Sequence, residues 1–213
     1  MIRVAIAISL VIAVLTGAFA RAGGTAAPSI DEVSLVFVGD LMFGRYVGST
    51  IAAKGYDTPF ENVRPLIQSA DLAVGNLEGP LVRRGTIKIP PPAPNELNLT
   101  GDDRAAPALS RAGFDLLSLA NNHALDSKAA GLQSTVNALR ASSMTPFGLA
   151  DAQGKQLPII REVRGVKIAF LGYTTILNII TEDMKRNGAI RPGIGFINRT
   201  SMADKDLFAQ EIA

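Results

Sequence analysis

Short apolar runs alternate with segments of helical periodicity from residue 34 onward. Four runs have the length and the apolar character of buried strands: Ser34–Val38, Leu72–Val74, Leu116–Ala120 and Val166–Leu171. Between them, apolar residues recur with the spacing of one helix face: Val63, Leu66, Ile67 and Ala70, then Leu109 and Ala112, then Leu132, Val136 and Leu139. Strands that alternate with helices predict an α/β fold with a mostly parallel sheet and flanking helices.

Polar residues follow the first three apolar runs. Asp40 follows the first run, Asn76 and Glu78 follow the second, and Asn121–His123 follows the third. Ligands of parallel sheets bind beyond the carboxyl ends of the strands, so these groups converge on one edge if the strands are neighbours. Carboxylate, amide and imidazole groups suit a divalent cation such as Mn²⁺, Fe²⁺, Zn²⁺ or Mg²⁺.

Each polar group also has a purely structural interpretation. Gly39-Asp40 could form a turn, and Glu78 could face water. Asn121 and Asn122 could cap the helix that follows, and a single His is commonly a neutral, hydrogen-bonded residue. A long stretch rich in Gly and Pro, from Gly85 to Pro94, indicates a binding loop or a flap.

The composition excludes several kinds of site. The chain has no Cys and one His, so it contains no disulfide framework, thiolate site or site with two imidazoles of its own. Its 21 basic residues exceed its 19 acidic residues by two, and residues 1–22 hold two basic residues and no acidic one. The remainder is balanced, so the charge gives no indication of a nucleic-acid partner.

The N-terminus has the order of a secretory signal. A basic start, an apolar run from Val4 to Leu15 and small residues up to Ala22 predict a signal peptide over residues 1–22. An uncleaved membrane anchor is the alternative. Both alternatives predict an exported protein on the periplasmic or extracellular side. Residues 23–33 are interpreted as a linker, and residues 34–213 as the folded domain.

Three segments together resemble the CapA family of bacterial poly-γ-glutamate capsule biosynthesis, which is related to the calcineurin-like metallophosphoesterases. They are Val38–Met42, Gly75–Leu81 and Leu119–Asp126, and the similarity continues through Val166–Tyr173. The resemblance implies a metallophosphoesterase-like layered sheet with flanking helices.

The resemblance also assigns roles to individual residues. Asp40, Glu78 and Asn122 correspond to metal ligands, and His123 corresponds to a general acid beside the leaving group. Neighbouring polar residues of the same motifs are assigned to substrate binding: Asn76, Asn121 and Asp126.

Two departures from the phosphoesterase pattern affect these assignments. The Asp-x-His motif reads Asp40-Leu41-Met42, so one imidazole ligand is absent. The chain also ends at Ala213, within a segment that precedes a later strand of the family. We therefore expect a fold that is incomplete at its C-terminus, with a metal site short of ligands and little activity unless the other half is supplied.

Two functions follow from this interpretation. The first is an exported, metal-dependent hydrolase that acts on poly-γ-glutamate or a related anionic polymer. The alternative is a non-catalytic component that binds the polymer or its membrane synthase during assembly and export. A non-functional fragment is a third possibility, which predicts that no soluble monomer forms.

Overall fold

A computed structural model of the chain describes residues 32–86, 97–151, 155–156 and 158–175. These residues all belong to the unit from Glu32 to Ala213. The predicted signal segment 1–22, most of the linker 23–33 and the C-terminal residues 176–213 lie outside the described residues. No helix within the described residues is long and apolar enough to cross a membrane.

Eight strands and four α-helices make up the described part of the chain. In order they are β1 (Leu35–Leu41), α1 (Arg45–Lys54), a 3₁₀ helix (Thr58–Phe60), α2 (Arg64–Gln68), β2 (Leu72–Leu77), β3 (Leu81–Val82), β4 (Gly101–Asp102), α3 (Ala105–Ala112), β5 (Leu116–Ser118), α4 (Lys128–Ala141), β6 (Thr145–Phe147), β7 (Ile159–Val163) and β8 (Val166–Phe170). Strands and helices alternate through most of this order, as the apolar pattern predicts.

The central sheet has four parallel strands in the order β1-β2-β5-β6. Strand β2 is buried on both faces because its side chains alternate between two hydrophobic clusters. Ala73 and Leu77 pack into the larger cluster with helices α3 and α4, whereas Leu72 and Val74 pack into the smaller cluster with Phe170 of β8. This arrangement is the layered α/β fold that the sequence predicts.

Helices α3 and α4 confirm the helical periodicity of the sequence. Leu132, Val136 and Leu139 of α4 are all buried against the sheet. Helix α3 ends at Gly113, whose left-handed φ of 105° suits glycine because it has no side chain to clash with the last turn. Here the local sequence and the tertiary packing favour the same structure.

The prediction for the segment around α2 is only partly right. A helix forms, but it covers only Arg64–Gln68. Of its predicted apolar face Ile67 is buried, while Leu66 and Val63 remain 66% and 44% exposed. The segment lies at the surface, so only one turn of the periodic pattern finds a hydrophobic surface to cover.

Other elements also differ from the sequence prediction. Helix α1 was not predicted, because Ile51 is its only buried residue and its apolar pattern is weak. Strand β8 forms as expected but pairs antiparallel with β7 in a separate two-stranded sheet. Strand β6, which contains Pro146, was also missed, and it occupies an edge of the central sheet, where a proline is tolerated.

Candidate functional site

The carboxyl ends of β1 and β2 bring three polar side chains together. Asp40 lies opposite Asn76 in the parallel register. Strand β1 has two residues between Phe37 and Asp40, whereas β2 has one residue between the partners Val74 and Asn76. The extra residue is a bulge that redirects the end of β1. The Nδ2 group of Asn76 donates to Oδ1 of Asp40 at 2.8 Å and to Oε2 of Glu78 at 2.7 Å. One amide nitrogen thus holds two carboxylates.

The orientation of the Asn76 amide is set by Asn121. Nδ2 of Asn121 donates to the backbone carbonyl of Leu77 at 2.9 Å, and its Oδ1 accepts from the backbone N–H of His123 at 3.0 Å. These two backbone partners fix which end of the Asn121 amide is the donor. Nδ2 of Asn121 then donates to Oδ1 of Asn76 at 3.1 Å, so the Asn76 NH₂ group faces the carboxylates.

His123 and Asp126 form a buried pair behind the carboxylates. Nδ1 of His123 lies 2.9 Å from Oδ2 of Asp126, and the same oxygen accepts from the backbone N–H of Leu99 at 2.6 Å. An ionised Asp126 places the proton on Nδ1 and directs Nε2 toward the carboxylate side. Nε2 lies 4.0 Å from Oε1 of Glu78. The imidazole therefore connects the buried Asp126 to the strand-end carboxylates.

Burial is the largest influence on Glu78. It raises the pKa of this carboxyl, and the negative charges of Asp40 and Asp126 raise it further. The hydrogen bond from Asn76 and the nearby His123 act in the opposite direction. Glu78 thus holds a proton more readily than an exposed glutamate does, a property that suits proton transfer.

The structure connects six of the seven predicted site residues through hydrogen bonds and one 4.0 Å contact. We call this set the strand-end network: Asp40, Asn76, Glu78, Asn121, His123 and Asp126. The seventh, Asn122, is half-buried and makes no side-chain hydrogen bond to any residue that the structure describes. Its role as a metal ligand stays a prediction, as do the chemical roles of the other six.

The structure contradicts two of the purely structural interpretations of the polar residues. Asn121 and Asn122 do not cap the following helix, because α4 begins at Lys128 with Ser127 as its N-cap. Glu78 does not simply face water, since its side chain is 14% exposed and accepts from Asn76. Asp126 is only 2% exposed, so its contacts favour the positioning of His123 over direct contact with substrate.

Two residues of the network's surroundings were missed by the sequence analysis. The backbone N–H of Leu99 binds Asp126, and Nδ2 of Asn98 donates to the Asp126 carbonyl at 3.0 Å. Both follow the Gly- and Pro-rich stretch that the sequence indicates as a binding loop or a flap, most of which lies outside the described residues. The Leu99 contact is made by backbone, so no side-chain signal could have revealed it.

The donor set can be tested against the divalent cation that the family resemblance implies. Oδ1 of Asp40 and Oε2 of Glu78 lie 2.8 and 2.7 Å from Nδ2 of Asn76, so the two oxygens are at most 5.5 Å apart. Small movements of the two side chains would let them share an ion. Among the described residues, no group of three His, Cys, Asp or Glu side chains could hold a metal ion. The two carboxylates are thus an incomplete donor set. Carboxylate oxygens suit a hard cation such as Mg²⁺ or Mn²⁺ that keeps several water ligands, whereas one imidazole does not make a zinc site rich in imidazole.

Comparison with protein families identifies one match, over residues 34–205, to the family described as bacterial capsule synthesis protein PGA_cap. This range includes every strand and helix given above. The match therefore covers the whole strand-end network and most of the chain.

Comparison with individual proteins agrees with the family match. The chain is 34% identical over 183 residues to the PGA biosynthesis protein CapA of Bacillus subtilis strain 168, covering 82% of this chain and 47% of that protein. It is 30% identical over 145 residues to the capsule biosynthesis protein CapA of Bacillus anthracis, covering 68% of this chain and 35% of that protein. The chain thus spans about half or less of the length of these relatives. Since the family match extends over most of the chain, the protein belongs to the bacterial capsule synthesis protein family.

Proposed function

We propose that this protein acts in the synthesis of an anionic capsule polymer such as poly-γ-glutamate, and that the strand-end network is a hydrolytic site. The observation that carries the proposal is the convergence of Asp40, Glu78 and His123 at the carboxyl ends of parallel strands. An exposed carboxylate, a half-buried carboxylate and an imidazole supply groups that hydrolysis can use, oxygen ligands for a cation and a proton donor.

The residues of the network have complementary roles in this proposal. Asp126 holds the His123 ring through Nδ1, so that Nε2 is left to give a proton to the leaving group. Asn76 and Asn121 keep the carboxylates together through the relay of amide hydrogen bonds. Glu78 and Asp40 supply the carboxylate oxygens that face the Asn76 amide.

A divalent cation would be held by Asp40 and Glu78 in this proposal. Such an ion polarises a phosphoryl or acyl oxygen and lowers the pKa of bound water. To admit it, the NH₂ group of Asn76 has to turn away from the two carboxylates that it now bridges.

We also propose that the protein works outside the cytoplasm, in contact with the polymer and with its membrane synthase. The signal-like composition of residues 1–22 supports the location. The names of the CapA relatives support the link to capsule polymer synthesis.

The test combines cation binding with polymer cleavage in the full chain. Calorimetric titration with Mg²⁺ or Mn²⁺ should give one binding event that Asp40→Asn weakens about tenfold or more, because a ligand charge is lost. Incubation with poly-γ-glutamate should release new amino termini, and His123→Gln should abolish that release while preserving cation binding.

Asp57→Asn is the matched control, because Asp57 is a carboxylate paired with Arg64 and Arg111 outside the network. It should leave both readouts unchanged. A folded parent protein that binds neither cation and cleaves no polymer would refute the hydrolytic proposal and favour the non-catalytic alternative.

A further inference from the structure

A cavity of about 240 Å³ is lined by Arg45, Arg84 and Asp102 together with glycine backbone and the polar residues Ser49 and Thr100. We call it the arginine cavity. None of the six residues of the strand-end network lines it. The cavity is therefore separate from the site of the proposed hydrolysis.

The walls of the arginine cavity are formed by tight backbone packing. A Cβ atom on Gly44 would lie 2.5 Å from the Leu99 carbonyl carbon, and one on Gly101 would lie 2.6 Å from Cβ of Phe43. A Cβ atom on Gly48 would clash with the Phe43 carbonyl oxygen. No larger side chain fits at these positions, so the shape of the cavity is set by the fold itself.

The charges around the cavity do not cancel. Arg104 occupies both carboxylate oxygens of Asp102, with Nε at 2.8 Å and Nη2 at 2.9 Å. The guanidinium of Arg84 lies at 3.4 Å from the same carboxylate, and its side chain is 76% exposed. Arg45 forms no ion pair with any residue in the described part of the chain. The cavity lining thus holds two guanidinium groups and one carboxylate, and that carboxylate already binds Arg104.

The backbone of Arg45 supports a specific role for this residue. Its φ of 52° lies in the left-handed region, which a residue with a side chain rarely adopts. It is the first residue of α1, directly after Gly44. Such strained positions often occur at binding sites, and here the strain fixes the direction in which the arginine leaves the backbone.

One backbone segment connects the cavity to the strand-end network. The N–H of Leu99 binds Asp126, while Thr100 and Gly101 line the cavity. Two residues of extended chain span at most about 7 Å, so the cavity lies close to the His123–Asp126 pair. A single short backbone segment thus separates the cavity from the buried pair.

We propose that the arginine cavity is a carboxylate-binding subsite, in which Arg45 and Arg84 hold one acidic group of the capsule polymer beside the strand-end network. This inference rests on the proposed function, from which it takes the polymer. Guanidinium groups bind carboxylates through paired hydrogen bonds, and a polymer of γ-linked glutamate presents one carboxylate on every unit. The subsite fixes the register of the chain while the next linkage lies at the network.

The experiment measures binding of a labelled γ-linked glutamate oligomer to the full chain by fluorescence anisotropy. Arg45→Ala and Arg84→Ala should each weaken binding about three- to tenfold, and the double variant more than either, because each loses a charge-assisted contact. Arg84→Lys should lose less than Arg84→Ala, because it retains the charge. Arg140→Ala is the matched control, since Arg140 lies in the last turn of α4 and not in the cavity. Circular dichroism verifies that every variant is folded.

Three results would overturn the subsite. They are unchanged binding by the folded double variant, an equal loss in Arg140→Ala, and equal binding of an oligomer whose carboxylates are amidated. The hydrolytic proposal is tested separately by the release of amino termini. Arginine-dependent binding without any cleavage supports the subsite and refutes the hydrolase, whereas cleavage with arginine-independent binding does the reverse.

Discussion

Asn76 provides the sharpest test of how the strand-end network is held together. Its NH₂ group is the donor to both Asp40 and Glu78, and Asn121 fixes its orientation. The substitution Asn76→Asp keeps the shape of the side chain but replaces this donor with an acceptor. Three carboxylates would then meet where one amide now stabilises two.

The lost hydrogen bonds set a lower limit on the loss of stability, and proton uptake sets an upper limit. Each lost hydrogen bond to a charged group contributes about 1.5–3 kcal/mol, and the exposure of Asp40 favours the lower figure. Repulsion adds to this loss, but proton uptake limits it, because raising one carboxyl pKa from about 4 to 7 costs about 4 kcal/mol. We expect the free energy of unfolding of the variant to fall by about 3–4 kcal/mol near neutral pH, a large part of the stability of an ordinary domain.

Urea unfolding, followed by circular dichroism, measures this loss with and without a divalent cation. A third carboxylate adds an oxygen ligand for a cation. Mg²⁺ at about one hundred times its dissociation constant from the variant should restore about 2.7 kcal/mol of unfolding free energy. The parent protein should gain less at the same Mg²⁺ concentration, because its amide has to move before the ion binds. The double variant Asp40→Asn with Asn76→Asp is the control, since it returns one amide to the cluster and should recover part of the stability.

A loss below about 0.5 kcal/mol in Asn76→Asp would refute the reasoning, because surface substitutions outside special contacts fall in that range. An equal effect of Mg²⁺ on the parent and the variant would also contradict it. In that case the amide does not hold the carboxylates in the way that the hydrogen bonds indicate.

Three further predictions concern the framework of the site. Thr135→Val should lower the free energy of unfolding by about 1–3 kcal/mol in urea titrations, because the Thr135 hydroxyl accepts the buried Leu81 N–H at 2.8 Å. Leu117→Ala should cost about 2–5 kcal/mol in the same assay, since Leu117 is fully buried, and a smaller loss would mean that the sheet rearranges around it. The hydrogen bond from Arg104 lowers the pKa of Asp102 in the folded protein. Ionised Asp102 should therefore stabilise the fold above its unfolded pKa of about 3.9, and this stabilisation should be lost as the pH falls through the lower folded pKa. Asp102→Asn should therefore remove this part of the acid dependence, and an unchanged slope of unfolding free energy against pH would contradict the assignment.

The local sequence determined the parts of the fold that depend on short-range patterns. The α/β architecture, helix α4 and the end of helix α3 at Gly113 all follow from apolar spacing and one glycine. The sequence also identified six residues that meet in the strand-end network. Five of them lie at or just after the ends of parallel strands, which share one edge of the sheet, and the family resemblance added Asp126. Their motifs were sufficient to indicate the family that the comparisons identify.

Other features depended on contacts that no local pattern records. The register of β1 against β2, with its extra residue before Asp40, decides that Asp40 and Glu78 share the Asn76 amide. The backbone N–H that holds Asp126 comes from Leu99, which is 27 residues away in sequence.

The arginine cavity shows the same division between sequence and structure. No motif in the sequence distinguishes Arg45 or Arg84 from the other basic residues of a chain whose charges nearly balance. They line one cavity only because Gly44 and Gly101 let the segment after β1 pack directly against the segment around Leu99. The sequence thus determined which chemical groups are present and which strand ends carry them. The tertiary structure decided which groups face one another, because hydrogen-bond partners and charge balance depend on residues that are distant in the chain.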